Sequence, residues 1–289
     1  MKHAFIITVH KQPELVERLV RSLQHEDLYC FIHVDKKSDI RDFTYLESLN
    51  NAILIRNRVD VMWATFKYVD AIVASLEEAL DFVQDIRSFT LLSGQDYPIK
   101  SAGHLVDFLN IGGGRNICPV ADKASAWYLE SMGRYEKYHM NAFGFKGRYF
   151  LQSVLNIFLP KRKFPGYSEV FAGRNSQWWT FTREVIEHIV LVQKRNDKLR
   201  RFLKFTWGTD EFFFATVVYN SEFRNRIENS LYRFTSWEEG RWNPNILTSD
   251  DLKELEGSNC IFARKFDLDV DSEVLDRLQE RIDEQSFKR

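Results

Sequence analysis

The chain has 289 residues, 44% of them hydrophobic, enough to bury a sizeable core in one large α/β domain with a smaller lobe. Forty basic side chains stand against forty-one acidic ones, so no overall field exists to hold a phosphate polymer and nucleic acid is not an expected partner. The three cysteines, Cys30, Cys118 and Cys260, are widely spaced in apolar settings, which excludes a disulfide framework or a metal knuckle and fits a reducing compartment. No apolar run has the form of a signal peptide or the length of a membrane span, which sets the expectation of a cytoplasmic protein.

The run AFIITV at 4–9 has strand length, and after HKQP the spacing of Leu15, Val16, Leu19, Val20 and Leu23 predicts a helix. YCFIHV at 29–34 and AILI at 52–55 read as strands, 69–83 as a long helix, FTLLSG at 89–94 as a fourth strand and AGHLVDFLN at 102–110 as another helix. Apolar strands separated by helices predict a mostly parallel sheet with helices on both faces. Ligands of such sheets lie beyond the carboxyl ends of the strands. His10 and Lys11 follow the first strand, Asp35, Lys36 and Lys37 the second, the segment with Trp63 the third, and Ser93 to Tyr97 the fourth, a set suited to a base and a ribose. The loop VHKQPE has no glycine, so neither a dinucleotide fingerprint nor a phosphate loop is present, and Gly112 to Gly114 mark a helix end.

The middle, about 115–175, is irregular and aromatic. From Lys137 to Ser168 there is no acidic residue, and Lys146, Arg148, Lys161, Arg162 and Lys163 flank the apolar YFLQSVLNIFLP. Segment 145–166 reads either as a peripheral membrane contact, close to a lipid-linked substrate, or as an ordinary helix with solvated lysines. Farther on, QWWTFT at 177–182 is strand-like, 184–193 helical, and TDEFFFATVV helical with Thr209 as its expected amino-terminal cap. LYRFTSWEEGRWNP reads as a turn-rich loop, followed by the helix SDDLKELEG and the stretch CIFARKFDLDVDSEVLDRLQERI. DLDVD contains two overlapping Asp-x-Asp strings, but it leads into a helix, where acidic residues favour the dipole. His3, His25, His104, His139 and His188 have no metal-ligand spacing.

Seven segments in order, VHKQPELVERLVRSL, CFIHVDKKSD, MWATFKYVDA, LLSGQDYPIKS, NSQWWTFTRE, WGTDEFFFAT and FARKFDLDVD, resemble the core-2/I-branching β-1,6-N-acetylglucosaminyltransferases and the related peptide O-xylosyltransferases. The likeness runs from about residue 4 to 271. It implies a GT-A-like fold with a nucleotide-binding α/β half at 1–115 and an acceptor-binding and catalytic half at 116–289. It also implies inverting transfer from a UDP-sugar, with N-acetylglucosamine the expected sugar, to a glycan or glycolipid acceptor without a metal ion. HVDKKSD agrees with the last point: two residues after Asp35 stands Lys37, a cation where a second metal ligand would be.

By this resemblance Glu211 is the general base that takes the acceptor proton, and Lys265 with an arginine neutralises the leaving UDP. Arg241 is the expected arginine, with Arg233 and Arg264 as alternatives. Val9, His10, Asp35 and Trp63 match positions around the uridine; Asp35 could instead cap a strand end and Trp63 could be core. Glu130, Arg134, Trp237 and Glu239 fall in regions that hold the acceptor sugar. Read from residue types alone, Asp210 and Glu211 could equally complement a helix amino terminus, worth about 0.3–1 kcal/mol each. Xylosyl transfer to a peptide serine, and a non-catalytic nucleotide- or carbohydrate-binding scaffold, are the alternative functions.

Overall fold

The computed structural model describes residues 1–287 apart from 83, 239, 240 and 242. Its main sheet has the order β3-β2-β1-β4-β6, formed by β1 (Lys2–Val9), β2 (Leu28–Val34), β3 (Ala52–Leu54), β4 (Ile86–Ser93) and β6 (Thr180–Thr182). The first four run parallel, with Ile6 of β1 opposite Phe31 of β2 and Leu91 of β4, and β6 closes the edge antiparallel to β4. A second sheet has the order β5-β8-β7, from β5 (Asp96–Pro98), β8 (Phe262–Arg264) and β7 (Arg233–Thr235).

Side chains on β1 alternate, as a strand buried on both faces requires. Ala4 and Ile6 enter one core with α2 (Phe66–Phe82), α7 (Arg183–Arg195), α8 (Asp197–Leu203) and α9 (Thr209–Tyr219). Phe5, Ile7 and Val9 enter the other, with α1 (Pro13–Ser22), α3 (Ala102–Asn110), α10 (Leu252–Gly257), α11 (Glu273–Phe287) and the second sheet. The expected α/β sheet with helices on both faces is present. Strand β6, from beyond residue 115, joins the main sheet while β5, from before it, joins the second, so the two parts of the chain interlock. Three short helices, α4 (Ala126–Ser131), α5 (Gly133–Glu136) and α6 (Arg148–Phe158), occupy the irregular middle.

The structure departs from the sequence expectation in three places. The strand expected at 177–182 begins only at Thr180, because Trp178 N–H turns back to the Asn175 carbonyl (2.9 Å). Within the stretch read as a turn-rich loop, Arg233–Thr235 is a strand, held by parallel pairing with β8. Thr209 is the first residue of α9 rather than its cap: Gly208, at φ 66°, makes the left-handed entry, and the Thr209 hydroxyl donates to the Thr206 carbonyl (3.1 Å).

The switch point lies at β1, where the chain, having laid β2 and β3 on one side, crosses through α2 to place β4 on the other. The carboxyl ends of β1, β2 and β4 therefore surround one crevice.

Candidate active site

Three consecutive phenylalanines and the apolar residues after them make α9 hydrophobic on every side, so it is driven into the core. Phe212, Phe213 and Phe214 are fully buried, each such side chain contributing about 1.5–3 kcal/mol of transfer energy. Every residue of α9 is buried except Glu211, whose side chain keeps 18% of its surface open. Its Oε2 accepts from Arg134 Nη1 at 2.5 Å. Gly208 makes this meeting possible: besides its left-handed φ, a Cβ there would lie 3.2 Å from Arg134 Nη1 and 3.5 Å from Glu211 Oε2. Burial raises the Glu211 carboxyl above the ordinary carboxylate range; Arg134 opposes that rise and the charge of Asp210 reinforces it.

Arg134, on α5, is held between aromatic rings, its guanidinium carbon 5.5 Å from the Trp127 ring and 5.1 Å from that of Trp207. Its carbonyl accepts from Trp207 N–H (3.0 Å), which ties α5 to the approach of α9. Arg174 also acts on Glu211 electrostatically and stacks on Trp237 at 4.6 Å. Of the groups expected to hold an acceptor, Arg134 bonds Glu211, and Trp237 carries Arg174, whose charge acts on the same carboxyl. Glu130 is exposed on α4, and Glu239 lies outside the described residues.

From Glu211 a chain of contacts leads to the crevice. With its amide turned to satisfy both neighbours, Gln177 donates to Asp210 Oδ2 (2.5 Å) and accepts from Trp178 Nε1 (3.0 Å). Asp210 is buried, and burial raises its carboxyl to a less acidic value. The Trp178 ring carries Arg264 at 4.1 Å and Arg233 at 4.4 Å. Both arginines flank the fully buried Asp96, with Nε to Oδ1 separations of 3.1 Å from Arg233 and 4.0 Å from Arg264. Ser93 adds its N–H (2.6 Å) and hydroxyl (2.5 Å) to the same carboxylate, which accounts for SGQDYP: its aspartate is a buried counter-ion and does not line the crevice. Nη1 of Arg233 and Nε of Arg264 have no hydrogen-bond partner among the described residues.

Lys265, next in the chain, is half-buried, and its ammonium makes no hydrogen bond or ion pair among the described residues. Burial, Arg264 and Lys11 all lower its pKa, against a weaker pull from Asp267. It shares the crevice with His10, whose pKa is lowered by burial and by Lys11 and is affected by Asp35, Lys265 and Lys37 as well. The structure therefore gathers His10, Lys11, Asp35, Lys37, Arg264 and Lys265. Arg241 forms an exposed ion pair with Glu238 (2.7 Å).

Around the expected uridine positions, Asp35 N–H donates to the Val9 carbonyl (2.8 Å), and the Asp35 carboxylate accepts from the N–H groups of Lys37 (3.0 Å) and Val61 (3.4 Å). Asp35 thus shapes the loop that presents Trp63, and Trp63, 69% exposed, is not core. The same loop reaches the other end of the site: Gly208 N–H donates to the Ala64 carbonyl (2.7 Å). DLDVD has structural partners. Asp267 accepts from Lys11 (2.6 Å) and Gln12 (2.5 Å), and Asp271 caps α11 through the N–H groups of Glu273 and Val274.

Sequence reasoning missed Arg174, Gln177, Trp178 and the pairing of Arg134 with the carboxylate. The signal available was the polar string GRNSQ directly before the aromatic WWTF, an unusual place for an arginine and an amide unless they are used.

The chain is similar along nearly its whole length to known proteins. A xylosyltransferase of Ciona intestinalis is 26% identical over 302 residues, covering 96% of this chain and 34% of its own length. Xylosyltransferase 1 of Homo sapiens is 24% identical over 298 residues, covering 95% of this chain and 30% of its own. The chain spans about a third of the length of these relatives. The apo crystal structure of mouse xyloside xylosyltransferase 1 matches 91% of this chain and 96% of that one, with a TM-score of 0.42 and 12% identity. The sequence model of the Core-2/I-Branching enzyme family matches residues 3–256, and the chain belongs to that family.

Proposed function

We propose that the chain is an inverting, metal-independent glycosyltransferase that moves a sugar from a UDP-sugar to the hydroxyl of a glycan acceptor. The observations that support this reading are that Glu211 is the one residue of α9 left partly open, with Arg134 on its carboxylate, and that the half-buried Lys265 ammonium has no hydrogen bond or ion pair among the described residues. Glu211, open to the acceptor side, takes the proton of the attacking hydroxyl as the new glycosidic bond forms. Lys265 and Arg264 neutralise the charge that develops on the departing diphosphate, fixed cations doing there what a divalent ion would otherwise do. Val9, His10, Asp35 and Trp63 hold the uridine. Arg134, Arg174 and Trp237 receive the acceptor sugar, whose apolar face suits an aromatic ring and whose hydroxyls suit guanidinium groups.

N-acetylglucosamine is the donor sugar proposed from the family resemblance. Xylose is the second reading, favoured by the names of the relatives that match along nearly the whole chain. The three free cysteines, two of them buried, favour a reducing compartment such as the cytoplasm. Turnover of UDP-N-acetylglucosamine and UDP-xylose by the purified protein, with and without chelator, tests the reading. Activity unchanged by chelator, abolished in Glu211→Gln with UDP affinity retained, is the expected result. Loss of activity in chelator with recovery on adding manganese contradicts the metal-free part, equal turnover by Glu211→Gln contradicts the base, and UDP binding with no turnover of either sugar favours a binding scaffold.

A further inference from the structure

Helix α6 is assembled inside out. On its inward side Gln152 and Asn156, four residues apart, bond the backbone of 138–140: Gln152 Oε1 accepts from Met140 N–H (2.8 Å), while Asn156 accepts from Tyr138 N–H (2.7 Å) and donates to its carbonyl (2.9 Å). The opposite side, at steps of three and four, is Phe150, Val154, Ile157 and Phe158. Phe150, Ile157 and Phe158 are 77%, 74% and 79% exposed, and no residue of α6 is buried. Amphipathic helices of globular proteins face the other way, with the apolar stripe inward. An exposed cluster of this size marks a surface that meets something.

The charges around it identify the partner. No acidic residue occurs from Lys137 to Ser168. Lys137, Lys146, Lys161 and Lys163 are exposed, Lys161 sharing its charge with Glu136 at 2.7 Å. Arg162, by contrast, is buried and donates to the carbonyls of Lys137 (3.0 Å), Phe205 (2.6 Å) and Phe202, which makes it an anchor and not a surface charge. Bulky aromatic and aliphatic side chains beside exposed lysines, in a segment with no acidic residue of its own, suit an interface of acyl chains beneath anionic headgroups. No helix among the described residues is long and apolar enough to cross a membrane, so the contact is a surface one.

We propose that α6 docks the protein on an anionic lipid bilayer through Phe150, Ile157 and Phe158, with Lys146 and Lys163 at the headgroups. The docked face is tied by hydrogen bonds to the segment that carries Arg134. His139 N–H donates to the Phe205 carbonyl (3.0 Å), and the 133–140 segment that carries α6 also carries Arg134. A docked molecule would therefore present Glu211 and Arg134 near the bilayer, matching a lipid-borne acceptor; this last step rests on the proposed transferase reading, whereas the docking does not.

The test is flotation of the purified protein with phosphatidylcholine vesicles, with and without one third phosphatidylglycerol, at low and high salt. Binding to the anionic vesicles should exceed binding to neutral ones by roughly tenfold or more and weaken in salt. Phe150→Ser with Ile157→Ser and Phe158→Ser should abolish it, and Lys146→Glu with Lys163→Glu should reduce it to the neutral level. The circular dichroism spectrum and melting temperature of the apolar variant should match wild type, which verifies folding, and UDP affinity read separately by calorimetry distinguishes failure of docking from failure of the nucleotide site. Absence of wild-type flotation, equal flotation of the apolar variant, or indifference to vesicle charge overturns the proposal. So does a wild-type dimer that the apolar variant turns into a monomer, since a second copy would then cover the face.

Discussion

Replacing Arg134 by methionine removes the charge facing Glu211 while keeping an extended side chain between Trp127 and Trp207. In the native protein burial raises the Glu211 carboxyl and Arg134 is the largest influence holding it down. With Nη1 and Oε2 at 2.5 Å the charge centres stand about 4 Å apart, and two unit charges at that distance interact by about 4 kcal/mol at an effective dielectric constant of 20. At about 1.36 kcal/mol per pH unit this is about 3 units, and opposite charges at such range typically lower a carboxyl by about 1–3. Only about a sixth of either side chain is exposed, so solvent removes little of the effect. The sign follows from the role: a general base works only when deprotonated, so the rate falls as pH drops through its pKa. Without Arg134 that pKa rises, and the acidic limb of kcat/KM against pH should move upward by about 1–3 units, with the rate recovering at higher pH. A limb that stays in place or moves down refutes the electrostatic coupling. A uniform loss at every pH shows instead that Arg134 serves in binding alone.

In calorimetric titration with UDP, Lys265→Ala should cost about 1.5–3 kcal/mol, the range for a hydrogen bond to a charged group, which is roughly a tenfold to hundredfold rise in Kd. Arg264→Ala should weaken UDP binding in the same direction, and Arg241→Ala should leave it nearly unchanged; the reverse order would return the diphosphate role to the exposed arginine. Asp96→Ala strands two arginines in the interior, a loss of about 3–5 kcal/mol, so the melting temperature should fall by roughly 10 °C. A fall of only a degree or two would show that Arg233 and Arg264 find other partners.

The parts of the fold legible in the sequence are those with strong periodicity. Strands β1 to β4 each contain a short apolar run, and α1, α2, α3 and α7 repeat every three to four residues, so both periods survive without tertiary context. Strands β5, β7 and β8 have three residues each and exist only through mutual pairing, which no local pattern reveals. Of the site, the crevice followed from the strand ends, and Glu211 was marked by a carboxylate next to three phenylalanines. The pairing of Arg134 with Glu211 was hidden by the 77 residues between them. Asp96 misled for a related reason: at a strand end it has the look of a ligand group, and only the fold reveals the two arginines it neutralises. In 145–166 the lysines and aromatics were visible, but which side of α6 faced outward depended on Gln152 and Asn156 reaching the backbone of 138–140.

A crystal structure with UDP bound is the most direct measurement. Uracil and ribose are expected between the ends of β1 and β2 near Asp35 and Trp63, with the diphosphate on Lys265 and Arg264 and its outer phosphate facing Glu211. Nucleotide bound elsewhere, or a diphosphate held to aspartates through a divalent ion, would contradict the account.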